Sequence, residues 1–307
     1  MAFVMEWGTG WEIGHSIQRS GWNENTRSVS TGAGAHTGVY GLQCGYLSST
    51  WPMAIIPGAE KYVSIWIKWT AGQGYITFRD AAKTALVRFA KRDDYLDVYV
   101  GGVLVEQGLV AFDGGWHHLQ LHFSIAEAGV VETIVDGIPD ISYAGDTRSG
   151  ATNVATSVIL GNNYTGGGGF FDDFCYGTGG WPGDIRFDPL YVTEDVEGEC
   201  GFTPSEGTDH YALVDEVPPA SADYNYTLVD ASDRYGTPGT WDDTDGLGNV
   251  VKDPIAVVLW ADTRKQDGNT DDKVRLAIGD GVNTVTGEYE SLLTSYENRW
   301  LLRDKAP

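Results

Sequence analysis

Between Gly114 and Pro139 the chain reads GGWHHLQLHFSIAEAGVVETIVDGIP, and apolar and polar positions alternate along it. Leu119, Leu121 and Phe123 fall on one face and His118, Gln120 and His122 on the other, the period of a half-buried antiparallel strand. After a short turn at 126–129, residues 130–135 run back and end in Asp136-Gly137, a pair that favours tight turns, so the segment predicts a hairpin. The same period governs residues 62–69: Val63, Ile65, Ile67 and Trp69 share an apolar face, while Tyr62, Ser64, Trp66 and Lys68 look the other way. That strand must cover a core. Further strands are predicted at 3–6, 39–44, 75–79, 85–90, 95–100, 103–106, 155–160 and 170–176, separated by Gly, Asn and Asp turns. Short alternating strands at this spacing predict a β-sandwich or jelly roll.

The pattern breaks at 177–183 (GTGGWPG), and an acidic, Pro-bearing stretch without clear period follows. The expected organisation is a jelly roll over 1–180, a linker over 181–210 and a smaller β domain over 211–307. In the last, the apolar run 255–261 (IAVVLWA) is expected to form a long hairpin with 274–278 (VRLAI), and 291–302 is read as strand. No period of 20 to 50 residues repeats.

Composition agrees with sheet: 41 Gly, 16 Tyr and 11 Trp in 307 residues accompany many Val, Ile and Thr. Forty-three acidic against 20 basic side chains leave a formal charge of −23, concentrated after residue 180, so nucleic acid and anionic membranes are excluded as expected partners. There is no basic segment followed by an apolar one at the start and no 18-residue apolar run, and the chain is expected to fold in a cytoplasm. Cys44, Cys175 and Cys200 match no metal spacing and cannot all pair; buried thiols are the preferred reading.

With the strands placed, GVYGLQCG at 38–45, YVSIWIKWT at 62–70, GGWHHLQLHFS at 114–124, VETIVDG at 131–137 and GFFDDFCYG at 169–177 resemble the laminin-G/concanavalin A-like jelly-roll superfamily. The WHH opening, followed by strand, turn and V-D-G hairpin end, is the most specific of these phrases. The resemblance implies an all-β fold, an antiparallel jelly-roll sandwich with a smaller C-terminal β domain. GDIRFDPLYVTEDVEG, TPSEGTDHYALVDEVPP and IAVVLWADTRK resemble the second half of bacteriophage virion proteins that join such a jelly roll to a smaller β domain. That implies a structural protein on the particle exterior, as head decoration or tail component, assembled in the host cytoplasm. Its partners would be other virion proteins and further copies of itself. Fold alone does not fix function, and a carbohydrate-binding host-adsorption module is the alternative, with a glycoside hydrolase third.

Catalysis by the laminarinase-type members of this superfamily uses E-x-D-x-E on one strand. The nearest string, Glu194-Asp195-Val196-Glu197-Gly198-Glu199, has the wrong spacing and lies in the expected linker. No catalytic residues are assigned, and the protein is expected not to be an enzyme. Calcium is the one cofactor weighed, because laminin-G domains hold it at the sandwich rim and Asp172-Asp173 is the best-placed acidic pair. The preferred reading is that one Asp faces inward and accepts from backbone amides, with no cofactor bound. The acidic loops at 241–249 and 262–272 fail the EF-hand pattern in either alignment and read as solvated loops. His117 and His118 point to opposite faces and His118 and His122 share one; their imidazoles are expected to bond to backbone or water, with Trp116 at the sandwich edge. Glycan rings stack on loop aromatics, and Trp22, Trp51, Tyr164 and Trp181 are the candidates.

Overall fold

Alternation sends every second side chain of a strand inward, and two sheets facing one another bury both stripes at once. The computed structural model describes residues 4–9, 28–31, 35–36, 41–44, 53–70, 74–149, 154–162 and 169–186, and, later in the chain, 194–195, 202–204, 225–226, 235–236, 256–263, 273–274, 277–279, 284–286, 290–291 and 297–304. None of these residues is helical. Up to residue 186 they form a jelly-roll-type antiparallel sandwich. Its strands are β1 (Val4–Thr9), β2 (Ser28–Thr31), β3 (Gly41–Cys44), β4 (Met53–Gly58), β5 (Glu60–Trp69), β6 (Gly74–Arg79), β7 (Ala85–Arg92), β8 (Tyr95–Val100), β9 (Val103–Gln107), β10 (His117–Ser124), β11 (Gly129–Val135), β12 (Ile138–Gly145), β13 (Ala155–Asn162) and β14 (Gly169–Thr178). The first sheet runs β12-β11-β10-β5-β14-β3-β2, with β1 also paired to β14; the second runs β4-β13-β6-β7-β8-β9.

The core lies where the predicted stripes meet. Val63, Ile65, Ile67 and Trp69 of β5 and Leu119, Leu121 and Phe123 of β10 are closed to solvent against Ile76 and Phe78 of β6, Val87 and Phe89 of β7 and Val98 of β8. Phe78 and Phe123 join the sheets, ring centroids 4.3 Å apart. Each large apolar side chain removed from water in this way stabilises the fold by roughly 1.5–3 kcal/mol.

The predicted hairpin forms in the predicted register, Leu119 opposite Val135 and Ser124 opposite Val130. Asp136 and Gly137 turn the chain with φ of 51° and 78°, both left-handed as a two-residue hairpin turn of matching twist demands. The turn leads directly into β12, a strand the alternation did not mark. β2 and β4 were also unmarked. β4 and β12 each lie at a sheet edge and carry a proline, Pro57 and Pro139, which interior strands avoid because proline cannot donate to the ladder.

Two expectations are corrected by pairing. Ala256–Thr263 pairs with Glu297–Asp304 over eight residues, not with the 274–278 run. Lys273–Val274 instead meets Glu290–Ser291, and Ala277–Gly279 meets Thr284–Thr286. A short apolar run names no partner by itself. Along β14, a bulge between Asp172 and Cys175, with Asp173 at φ 49°, replaces plain alternation. Phe171 and Phe174, three residues apart, therefore both join the core, and both aspartates meet His36 on the outer side. Cys44 is a buried thiol in the main core, while Cys175 is buried on the outer face with Met5 and Ile185.

Candidate functional site

Outward-facing side chains of a sandwich ordinarily meet water, yet Ser64, His118, Gln120 and His122 on the outer face of the first sheet are all buried. Register explains how they meet: β5 and β10 pair antiparallel with Trp66 opposite His118, Ser64 opposite Gln120 and Tyr62 opposite His122. Burial comes from the segment 181–186, which crosses this face as a strap. Gln120 Oε1 accepts the Gly183 N–H at 2.8 Å, Ser64 Oγ donates to the Gly183 carbonyl at 3.1 Å, and the Trp66 indole N–H donates to Asp184 Oδ1 at 3.0 Å. The strap begins where composition placed a linker, but its ties are to side chains of the sandwich.

Beneath the strap, His118 Nε2 lies 2.7 Å from Ser64 Oγ. Burial holds the His118 pKa below its ordinary value, against the opposing pull of Asp184, Asp136 and Asp173. Asp184 is raised by its own burial but held below the usual carboxylate range by the Trp66 N–H and Arg186. His36 stacks on Trp66 with ring centroids 3.7 Å apart and meets Trp116 edge-on at 5.3 Å; its backbone N–H donates to Asp172 Oδ2 at 2.6 Å, and its Nδ1 lies 3.5 Å from Asp173 Oδ2.

At the other end of the strap the face opens. His122 sits between two carboxylates, Nδ1 2.9 Å from Glu132 Oε2 and Nε2 3.2 Å from Glu60 Oε1, and stacks flat on Tyr62 at 4.2 Å. The Tyr62 phenol is pushed above its ordinary pKa by burial and by the charges of Glu60 and Glu132. Trp181 stands edge-on to both rings, at 5.7 Å from Tyr62 and 6.0 Å from His122, and is 37% exposed. The corner thus combines an aromatic face in contact with solvent and two carboxylates able to accept from hydroxyls.

The sequence-derived candidates divide three ways. Trp181 belongs to this corner. Asp172 and Asp173 lie fully buried beside His36, with Asp172 also accepting the backbone N–H of Asp173 at 2.9 Å. Trp22, Trp51 and Tyr164 lie outside the described residues. Among the described residues no group of three or more His, Cys, Asp or Glu converges as metal ligands do. The histidines differ in part from expectation: His117 Nε2 accepts the Asp113 backbone N–H at 3.3 Å, but the other partners are side chains, Asp113 and Asp136 for His117, Ser64 for His118, Glu60 and Glu132 for His122. Glu60 and His36 escaped the sequence reading, and Gln120 was placed on the outer face without its tie to Gly183, since each acts through a residue distant in the chain. One signal was legible: adjacent strands both present aromatic and polar side chains outward where solvated faces usually carry Lys, Glu and Thr.

No protein-family model and no curated protein matches the chain. Among solved structures it is similar to an endo-β-1,4-glucuronan lyase from the fungus Trichoderma reesei, with 12% identity over 57% of this chain and 96% of that one and a TM-score of 0.43. A carbohydrate esterase of the Shiga toxin-encoding bacteriophage phi24B gives 12% identity over 58% and 100%, with a TM-score of 0.41. The alginate lyase Aly36B, in complex with alginate tetrasaccharide, gives 11% identity over 59% and 99%, with a TM-score of 0.39. These β-sandwich proteins are mostly carbohydrate-active enzymes, and the expectation that this chain is not an enzyme is corrected accordingly. The sequence offered acids along single strands, whereas Glu60 and Glu132 reach His122 from the strands on either side of it. Likeness at this level transfers none of those activities to this chain.

Proposed function

We propose that the protein binds glycan at the Trp181 corner and does so on the exterior of a bacteriophage particle. The observation that carries the glycan reading is the exposed Trp181 indole standing against the Tyr62–His122 stack. A sugar ring lays its C–H face on an indole, and Glu60 and Glu132, both partly open to solvent, accept from hydroxyls at its rim. The particle setting is supported by the resemblance of GDIRFDPLYVTEDVEG and the later phrases to virion proteins. On a particle, many copies convert a weak single site into firm attachment, because each further contact forms at high effective concentration.

The test is a glycan array followed by calorimetry on wild type and Trp181→Ala. Binding by the wild type that falls at least tenfold in the variant supports the reading. Equal binding by both, or none by the wild type, overturns it. For the setting, antibodies against the chain should label intact particles from a producing lysate, and unlabelled particles overturn that part.

A further inference from the structure

On the opposite side of the sandwich, the outer face of the second sheet carries a cavity of about 280 Å³ along β7, lined by Leu86, Arg88, Ala90, Lys91, Arg92 and Tyr99 among others. Pairing places Arg88 between Thr77 of β6 and Tyr99 of β8, and Ala90 between Tyr75 and Asp97. Arg88 lays its guanidinium over the Tyr75 ring, Cζ 4.4 Å from the centroid. Its Nε is buried and has no acceptor.

The neighbouring cations are provided for. Arg92 Nε pairs with Asp97 Oδ2 at 2.8 Å, and Lys91 Nζ reaches Asp94 Oδ1 at 3.4 Å. Asp97, fully buried, also accepts from the Tyr99 hydroxyl and from Gln107 Nε2, each at 3.0 Å, so the carboxylate beside the cavity is already engaged by three donors. Arg88 therefore presents a fixed cation with an unused donor in a chain whose formal charge is −23. Acids are abundant, and none among the described residues is placed against it. The Nε itself is closed to solvent, so a ligand in the cavity would engage this cation at its terminal nitrogens.

We propose that this cavity takes a single carboxylate-bearing sugar unit, a hexuronate, with its carboxylate on Arg88. The planar guanidinium matches a carboxylate in a two-bond fork, and stacking on Tyr75 holds the fork in one orientation. Tyr99 and Ala90 supply the apolar wall for a sugar ring, and the Tyr99 oxygen, whose proton goes to Asp97, is left to accept from a ring hydroxyl. The volume suits one ring. The acidic remainder of the chain repels dense polyanions, so a ligand carrying one charge per ring is favoured over nucleic acid. The site lies on a different sheet from Trp181 and stands or falls without it.

The experiment is titration of the full chain with D-glucuronate, D-glucose and inorganic phosphate, read by calorimetry and by the Arg Nε–H resonances in NMR. Saturable glucuronate binding, at least tenfold weaker glucose and phosphate binding, and a shift of the Arg88 Nε–H signal support the proposal. Arg88→Ala is expected to lose tenfold or more of the glucuronate affinity, and Arg88→Lys most of it. Phosphate binding as tightly as glucuronate would make the site a plain anion hole and overturn the sugar assignment. No glucuronate binding by wild type, or an unmoved Arg88 signal, overturns the proposal even where Arg88→Ala fails to fold.

Discussion

Ser64 Oγ stands 2.7 Å from His118 Nε2 and gives its own proton to the Gly183 carbonyl at 3.1 Å. A hydroxyl has one proton, so His118 must donate from Nε2, and the chain His118–Ser64–Gly183 runs in one direction. The sandwich holds its strap through this relay. Ser64→Ala leaves a buried imidazole N–H and a carbonyl without partners, at a cost of about 1–3 kcal/mol. Urea unfolding should register that loss, and hydrogen exchange should report faster opening at Gly183 while the β10–β11 amides keep their protection.

The relay is pH-sensitive. Burial holds the folded His118 pKa below its ordinary 6.5, so the unfolded chain takes up the proton first. The contribution of neutral His118 is fully present above about pH 6.5 and is lost as pH falls from there through the folded value, at up to about 1.4 kcal/mol per pH unit. Urea midpoints of wild type and His118→Gln, which keeps a donor but does not titrate, should diverge at pH 7.5 and converge toward pH 5. Parallel profiles would remove His118 from the pH response.

How much of this was legible follows from where each signal lives. The stripe Val63-Ile65-Ile67-Trp69 and the stripe Leu119-Leu121-Phe123 were written in period two, and both fill the core as read. β4 and β12 were not, because both lie at sheet edges, where a proline is tolerated and interrupts the pattern. The strap was invisible because the ties at Gly183 and Asp184 come from Ser64, Trp66 and Gln120, on strands whose spacing to it only folding sets. The β14 bulge hid for a different reason: nothing in FFDDFC marks Asp173 as left-handed, so alternation set Asp172 and Asp173 on opposite faces.

The Asp136-Gly137 turn offers a local test. Gly137 has φ 78° and nothing within 4 Å of where a Cβ would sit, so Gly137→Ala meets backbone strain without a clash. The expected loss is about 1–2 kcal/mol, the cost of a left-handed L-residue. Asp136 Oδ1 accepts the His118 N–H at 2.8 Å, which ties the turn to β10 and should keep the register intact in the variant. An unchanged β10–β11 amide pattern in NMR with a lowered melting temperature is the expected outcome.

Cys175 lies fully buried between Met5 and Ile185, and burial pushes its thiol far above the ordinary pKa. Thiolate is the reactive form, so a native chain carrying Cys200→Ser should resist alkylation until unfolded. Rapid labelling at Cys175 and not at Cys44 at neutral pH would mean that the strap opens often enough to expose Cys175.

Trp181 and Phe123 separate binding from folding. Phe123 is fully buried against Phe78, and Phe123→Ala leaves a cavity whose cost is about 3–5 kcal/mol, enough to unfold much of the population of a marginal domain. Trp181 is 37% exposed and touches Tyr62 and His122 only edge-on, so Trp181→Ala should cost about 1 kcal/mol in stability. Its effect on glycan affinity should be the larger, because the indole supplies the stacking face. Urea midpoints and glycan titrations on the same preparations decide the matter: a Trp181→Ala protein that loses only about 1 kcal/mol yet binds at least tenfold more weakly places the indole in recognition. A loss of stability as large as that of Phe123→Ala would make it a structural wedge.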